Sequence, residues 1–353
     1  MWSGRIKTLT GVIRVTLDKK YAFVGKILMF RLLKKRAYSI GVDIGDDGLK
    51  LVQLRDNGKG ISLISGSSEN LPKGVKAGSS KWQRWAIEAL RHLTSNGDFQ
   101  GKEVIAAMPT SELFIDHIRM PKTDDGKLDD AIFSRIKQKL PFEPVKENTI
   151  MKYIPMEQDN VLVIATERKI IDRHLAIYEK AGLAIKSIGI WPTALANCYT
   201  KFFGRRKSDL EAIVMIVCIE ANCTNVVICR HKNLLFARLI SIGLKQLGNK
   251  KGLTRLVLEL TACRRQFASM YPRAHIERLI FLSGQAVERD ICMAIAKQLE
   301  MPAQLGDCLA AVEITDSARL SRDSKDDKGS LGAPIDRRNC QHNWAIAFGL
   351  SLS

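Results

Sequence analysis

The chain has 353 residues, is 46% hydrophobic and carries a formal net charge of +18. That length accommodates two ordinary domains with their own cores, and the apolar content excludes wholesale disorder. Eight cysteines without a C-x-x-C pair, and six histidines without an H-x-x-x-H spacing, argue against a zinc site, a disulfide framework and an oxidising compartment.

Residues 1–36 hold ten Lys and Arg against the single acid Asp18, half of the net excess in about a tenth of the chain. Phe23, Val24, Ile27, Leu28, Phe30, Leu32 and Leu33 are mixed among those charges, as in helices lying on a membrane surface. On anionic lipid each such Lys or Arg contributes roughly 1 kcal/mol; the alternative is an extension with no contact of its own. No stretch reaches the ~20 apolar residues that span a bilayer, since residues 21–33 are interrupted by Lys26 and Arg31. There is no apolar block followed by a small-residue cleavage site. No base-stacking aromatics accompany the charge, so no nucleic acid is expected as a partner.

Ile40, Val42 and Ile44 alternate as a strand and run into the turn Gly45-Asp46-Asp47-Gly48. Residues 49–54 and 61–64 read as two more strands around Asp56-Asn57-Gly58, and Trp82, Trp85, Ala86, Ala89, Leu90 and Leu93 recur at helical spacing. The two tryptophans there are expected in a core. Shifted by 175 residues the meander returns, as strands at 213–219, 226–229 and 234–237. Val42 falls on Val217, Ile44 on Ile219, Val52 on Val227 and Arg55 on Arg230. Such a repeat implies two lobes of similar fold facing each other across a cleft. Between the repeats, residues 113–119, 128–140, 149–155, 161–166, 170–181 and 184–190 read as β-α-β-β-α-β, a small two-layer unit. Leu140-Pro141-Phe142-Glu143-Pro144 reads as a helix stop, alternatively as a wall of a groove for a partner's tail. Cys218 and Cys223 flank a turn without basic neighbours and read as packing residues.

Several landmarks then coincide in order: Ile40-Gly41-Val42-Asp43-Ile44-Gly45, Leu49-Lys50-Leu51-Val52, Ala107-Met108-Pro109, Arg119-Met120-Pro121 and Leu140-Pro141-Phe142-Glu143-Pro144. Ala181-Gly182-Leu183, Trp191-Pro192-Thr193-Ala194-Leu195-Ala196, Leu282-Ser283-Gly284 and Ala345-Ile346-Ala347-Phe348-Gly349-Leu350 follow. Together they resemble the superfamily of actin, the sugar kinases and the heat-shock chaperones, and within it the PilM family of type IV pilus assembly, over roughly residues 29–353. The resemblance implies an α/β fold of the actin-like, two-lobed kind, with duplicated ribonuclease H-like lobes and an inserted small α/β subdomain. The expected division begins with a basic extension at 1–36, the first part of lobe I at 37–109 and the insert at 110–190. A lobe I helix and linker at 191–210, lobe II at 211–316, a mobile polar loop at 317–341 and a closing helix at 342–353 that returns to lobe I complete it. Family members usually start just before the first strand, as Met29 does here, so residues 1–28 are read as a possible misassigned start.

Functionally the resemblance implies a cytoplasmic scaffold lying peripherally against the inner membrane. It would bind the cytoplasmic tail of a PilN-like bitopic protein, with the pilus motor ATPases as further candidate partners. In this fold the glycine turns cradle the phosphates of ATP, and strand-end carboxylates orient Mg2+. Transferred to this chain, the nucleotide-site positions are Asp43, Gly45, Gly48, Glu220, Thr224, Glu259 and Gly284, with Asp43 as the one metal position and no catalytic residue assigned. The chain departs from the family at Asp46 and Asp47, where small hydroxyl residues are usual. It departs again at Cys218 in place of an aspartate, at Glu220 in place of a glycine, and at Gln285 in place of a second glycine. Hydrolysis is therefore expected to be lost, while residual ATP and Mg2+ binding stays open. The rival readings are an active ATPase or kinase of the same superfamily, a filament former, and a GspL-like component of type II secretion.

Overall fold

The computed structural model describes residues 37–45, 47–58, 60–120, 128–314, 333–334 (main chain only) and 342–353. The basic arm at 1–36, Asp46 and most of the polar loop at 317–341 lie outside the described residues. In chain order the strands and helices begin with β1 (Ile40–Ile44), β2 (Gly48–Asp56), β3 (Ile61–Asn70), α1 (Ser80–Asn96), β4 (Glu103–Ala107), β5 (Phe114–Arg119) and α2 (Leu128–Ile136). Next come β6 (Thr149–Pro155), β7 (Asn160–Glu167), α3 (Arg168–Ala181), β8 (Ala184–Gly189), α4 (Trp191–Phe202), β9 (Ile213–Ile219), β10 (Thr224–Arg230) and β11 (Asn233–Ile240). The chain closes through α5 (Leu244–Leu247), α6 (Lys250–Met270), β12 (Arg278–Phe281), α7 (Arg289–Gln298), β13 (Ala303–Leu305), β14 (Glu313–Ile314), β15 (Ala333–Pro334) and α8 (Ala345–Ser351).

The repeat seen in the sequence is a repeat of topology. One sheet runs β3-β2-β1-β4-β8 and the other β11-β10-β9-β12-β13, the same order in each. In both, the first three strands form an antiparallel meander and the last two run parallel to the first. Turn residues between apolar runs make the hairpins, whereas each parallel pairing needs a helical crossover. β14 and β15 add to β3, the outer edge of the first sheet. The third sheet, β5-β7-β6, is antiparallel and packs with α2 around Ile118, Ile132, Ile136 and Val163.

Here the structure corrects the reading of residues 113–190 as one unit. Only β5, α2, β6 and β7 form it, because β8 pairs in parallel with β4, and α3 packs on α1. Strand pairing is not local in sequence, so the final α-β step of the segment is a crossover back into lobe I. Helix α2 also stops at Ile136, short of the expected residue 140. Glu112 holds the insert at its root, accepting from Arg173 and from His174 Nε2 of α3, the latter at 2.7 Å.

Two helices are sandwiched between the two large sheets. α8 packs on β1, β2 and β4, and α4 packs on α8 and on β9, β10 and β11. A helix enclosed on all sides must be apolar all round. All seven residues of α8 are buried, as are Trp191, Ala194, Leu195, Cys198, Tyr199 and Phe202 of α4. Their approach is close enough that a Cβ on Gly349 would lie 1.8 Å from the Ala194 carbonyl oxygen. The outer faces are covered by amphipathic helices. α1 buries Trp82, Trp85, Ala86, Ala89, Leu90 and Leu93 against the first sheet and is capped by Ser79, whose hydroxyl accepts from the Trp82 N–H. α6 and α7 cover the second sheet. Among the described residues, no helix is long and apolar enough to cross a membrane.

Candidate functional site

Strands β1 and β9 are equivalent in the two lobes, and both are buried along their length. A strand buried on both faces has no place for a charge unless another charge meets it. β2 nevertheless carries Lys50, and β1 carries Asp43 directly opposite it in the antiparallel register. Lys50 is 1% exposed; its Nζ donates to Asp43 Oδ2 at 3.3 Å and to Glu220 Oε2 at 3.4 Å. Glu220 follows the last residue of β9 and belongs to the other lobe. One ammonium therefore bridges carboxylates of both lobes at the floor of the cleft.

The second turn is held from behind. The Glu220 N–H donates to the Cys223 carbonyl at 2.8 Å, and the Leu244 N–H to the Glu220 carbonyl at 2.9 Å. Cys218 Sγ donates to Glu220 Oε1 at 3.4 Å and accepts from Asn343 Nδ2 at 3.1 Å. Asn343 Oδ1 in turn accepts from the Ala345 N–H at the start of α8, so the closing helix reaches the same turn. Asn225, on β10, is opposite Cys218 in register and is fully buried, and among the described residues neither atom of its amide has a hydrogen-bond partner. The space enclosed by these groups is about 30 Å³, lined among others by Asp43, Asp47, Lys50, Glu220, Asn222 and Asn225. That is room for two or three water molecules at about 10–15 Å³ each.

Three carboxylates around one ammonium set the electrostatics. Burial works against the charged Lys50 amine, but Glu220, Asp43 and Asp47 outweigh it and hold the amine well above the ordinary lysine value. Burial, only partly offset by Lys50 and reinforced by Asp47 and Asp43, pushes Glu220 up to about 7. Glu220 is thus the acid that takes a proton when two negative charges are in excess. Burial, with Glu220 beside it, also raises the Cys218 thiol far above the range of a reactive cysteine.

The residues singled out in the sequence divide into those the cleft gathers and those it does not. Asp43, Gly45 and Glu220 line the cavity. Gly48 begins β2, and a Cβ there would lie 2.5 Å from the Glu69 carbonyl oxygen, so the neighbouring strand requires the glycine. The Thr224 hydroxyl is fully buried and donates to the Ile242 carbonyl at 2.7 Å. Glu259, on α6, is half-exposed and accepts from Arg238 at 3.1 Å. Gly284, at φ +55°, lies beside a separate small cavity with Gln285, Asp307 and His342. Sequence reasoning missed Lys50, Asn225 and Asn343. The signal for Lys50 was present, since a lysine inside an otherwise apolar strand requires a buried acid nearby; for Asn343 there was none.

The actin-like fold is one that can take a nucleotide with Mg2+ at this cleft. The residues present do not fit that group. The Lys50 ammonium sits on Asp43, the carboxylate that would serve a metal, and Glu220 adds a carboxylate where phosphates would approach.

The comparisons with known proteins agree with this architecture. In a PilM–PilN type IV pilus biogenesis complex, one solved chain superposes with a TM-score of 0.68 at 17% identity, covering 89% of this chain and 98% of that one. The cytoplasmic domain of EpsL, an inner membrane component of the type II secretion system of Vibrio cholerae, follows at 0.46 and 12%, covering 70% and 82%. The ethanolamine utilization protein EutJ of Carboxydothermus hydrogenoformans gives 0.47 and 11%, covering 89% of each chain. No curated protein matches the sequence. At 17% identity the first of these superpositions shows the fold alone. The sequence itself matches the model of the type IV pilus assembly protein PilM over residues 41–251, from the first strand into α6. That match spans more than half of the chain and both halves of the cleft, and the chain belongs to the PilM family.

Proposed function

We propose that this chain is a scaffold of type IV pilus assembly that works without nucleotide hydrolysis. The observation that carries the reading is the family match over residues 41–251, taken with the superposition on a chain from a PilM–PilN complex. By analogy with that complex, the partner is the cytoplasmic tail of a PilN-like protein of the inner membrane. The basic segment at 1–36 fits contact with the anionic lipid surface that such a partner would bring close. Asp43, Gly45, Gly48, Glu220 and Thr224 mark the former nucleotide site in this reading, and Glu259 and Gly284 its former nucleoside side. The poor fit of the cleft to Mg2+ and phosphate supports a binding protein over a motor.

The test is co-purification of the tagged full chain with a PilN-like single-span protein from detergent-solubilised membranes. Recovery in a fixed ratio, lost when the partner's cytoplasmic tail is deleted, is expected. A chain that stays soluble and emerges alone overturns the scaffold reading.

A further inference from the structure

The offset of 175 residues that relates the lobes also relates the members of the cleft. Asp43 corresponds to Cys218, Gly45 to Glu220 and Lys50 to Asn225. The register bears this out, because Asp43 faces Lys50 in lobe I as Cys218 faces Asn225 in lobe II. Lobe I thus keeps a glycine at its turn and a cation on the next strand. Lobe II has a carboxylate at the turn and a neutral amide on the strand. The carboxylate of one lobe meets the cation of the other at 3.4 Å.

Three observations support reading this contact as the occupant of a ligand site. The Lys50 amine is buried and is met by carboxylates from two lobes, an arrangement whose desolvation a purely structural core would avoid with apolar residues. The fully buried Asn225 amide lines the same cavity, and among the described residues neither its donor nor its acceptor has a partner, although buried amides almost always find one. Glu220 lines the cavity of about 30 Å³ at the turn position where the repeat-equivalent residue of lobe I, Gly45, is a glycine. Without that side chain, a buried ammonium and a buried amide would converge on open space. That is the donor set of an anion site.

We infer that Lys50 and Glu220 form an internal latch occupying a latent phosphate site, and that Glu220→Gly converts the chain into one that binds a nucleoside diphosphate or pyrophosphate through Lys50. The inference rests on the proposed reading of the cleft as a former nucleotide site. It does not depend on the identity of the partner.

The experiment is isothermal titration of the full-length chain with Mg-ADP and, separately, with inorganic pyrophosphate. The unmodified chain is expected to show no saturable binding at millimolar ligand. Glu220→Gly is expected to bind at least a hundredfold more tightly than it, and Glu220→Gly combined with Lys50→Met to lose that gain. Pyrophosphate binding without ADP binding would place the latent site at the phosphates alone and still support the latch. Micromolar binding by the unmodified chain would overturn it, as would a gain that survives the loss of Lys50. Circular dichroism and the unfolding temperature report whether Glu220→Gly folds. If it does not, Glu220→Ala removes the carboxylate and most of its volume without adding a glycine to the turn; a tenfold gain in pyrophosphate affinity is then expected, and no gain refutes the latch. Recovery of the single-span partner by the unmodified chain decides the scaffold reading independently.

Discussion

Replacing Lys50 by Met removes the ammonium and keeps most of the volume of its stem, which isolates the charge. Asp43 and Glu220 are then left in a space of about 30 Å³ without the cation that both of them touch. Removing one partner of a buried pair typically destabilises by about 3–5 kcal/mol, because an uncompensated charge stays behind. Against a total stability of roughly 5–15 kcal/mol, that is a large fraction. The loss depends on pH in a defined direction. Glu220 is held at about 7, above its ordinary carboxylate value, so its contribution to stability is fully present below the unfolded value and is lost as pH rises through 7. A displacement of that size corresponds to about 3 kcal/mol. Urea unfolding of the Lys50→Met chain should therefore show the larger deficit at pH 8 and a smaller one at pH 5, where Glu220 carries its proton. Glu220→Gln should be the more stable of the two proteins at pH 8, with its advantage over the unmodified chain shrinking by about 3 kcal/mol as pH falls to 4.5. A Lys50→Met chain within about 0.5 kcal/mol of the parent at pH 8 would refute the bridging role of the amine.

His117 of β5 stacks on Phe236 with ring centroids 4.6 Å apart, and its Nε2 accepts from the Ala237 N–H at 3.1 Å, so the ring must be neutral. Burial, with Arg238 assisting and Asp116 opposing, lowers it to about 4; the stability this contributes is present above 6.5 and falls by about 3 kcal/mol as pH drops through 4. A nuclear magnetic resonance titration of the ring finding a midpoint near 6.5 would contradict the packing. Gly349→Ala should destabilise by about 3 kcal/mol or more, since its Cβ meets a main-chain carbonyl at 1.8 Å that no rotamer change can relieve; an unchanged thermal midpoint would show that α4 and α8 can separate freely. Arg278→Met strips the partly buried Asp209 of a 2.6 Å partner and should destabilise by about 2–3 kcal/mol in urea unfolding, with little effect once Asp209 is also Asn.

What the sequence disclosed was whatever is encoded locally. The hairpins β1–β2 and β9–β10 could be read because the apolar runs stop at Gly45-Asp46-Asp47-Gly48 and at Glu220-Ala221-Asn222, residues that bend the chain by their own chemistry. α1 could be read because Trp82, Trp85, Ala89 and Leu93 fall on one face. β8 was assigned to the wrong sheet because its partner, β4, lies some 80 residues earlier and nothing in Ala184–Gly189 names it. β14, two residues long and paired with β3 of the other lobe, left no sequence signal. In the cleft, the unusual residues were legible as departures at Cys218 and Glu220. Their joint meaning was not, because Lys50 looked like one member of a strand motif until the fold set its amine between Asp43 and Glu220. Thr224 shows the converse, a residue matching a ligand position whose hydroxyl donates to the Ile242 carbonyl.

An internal latch also differs from a bound ligand in what controls it. A cleft held shut by nucleotide is stabilised in proportion to the logarithm of nucleotide concentration over its dissociation constant, so its closure follows the energy state of the cell. A cleft held by Lys50 between Asp43 and Glu220 carries its bridging cation in the chain, at an effective concentration that does not vary. Lobe II carries a carboxylate, Glu220, at the position equivalent to Gly45, and it engages the lysine of the opposite lobe. Beside it the buried Asn225 amide has no hydrogen-bond partner among the described residues.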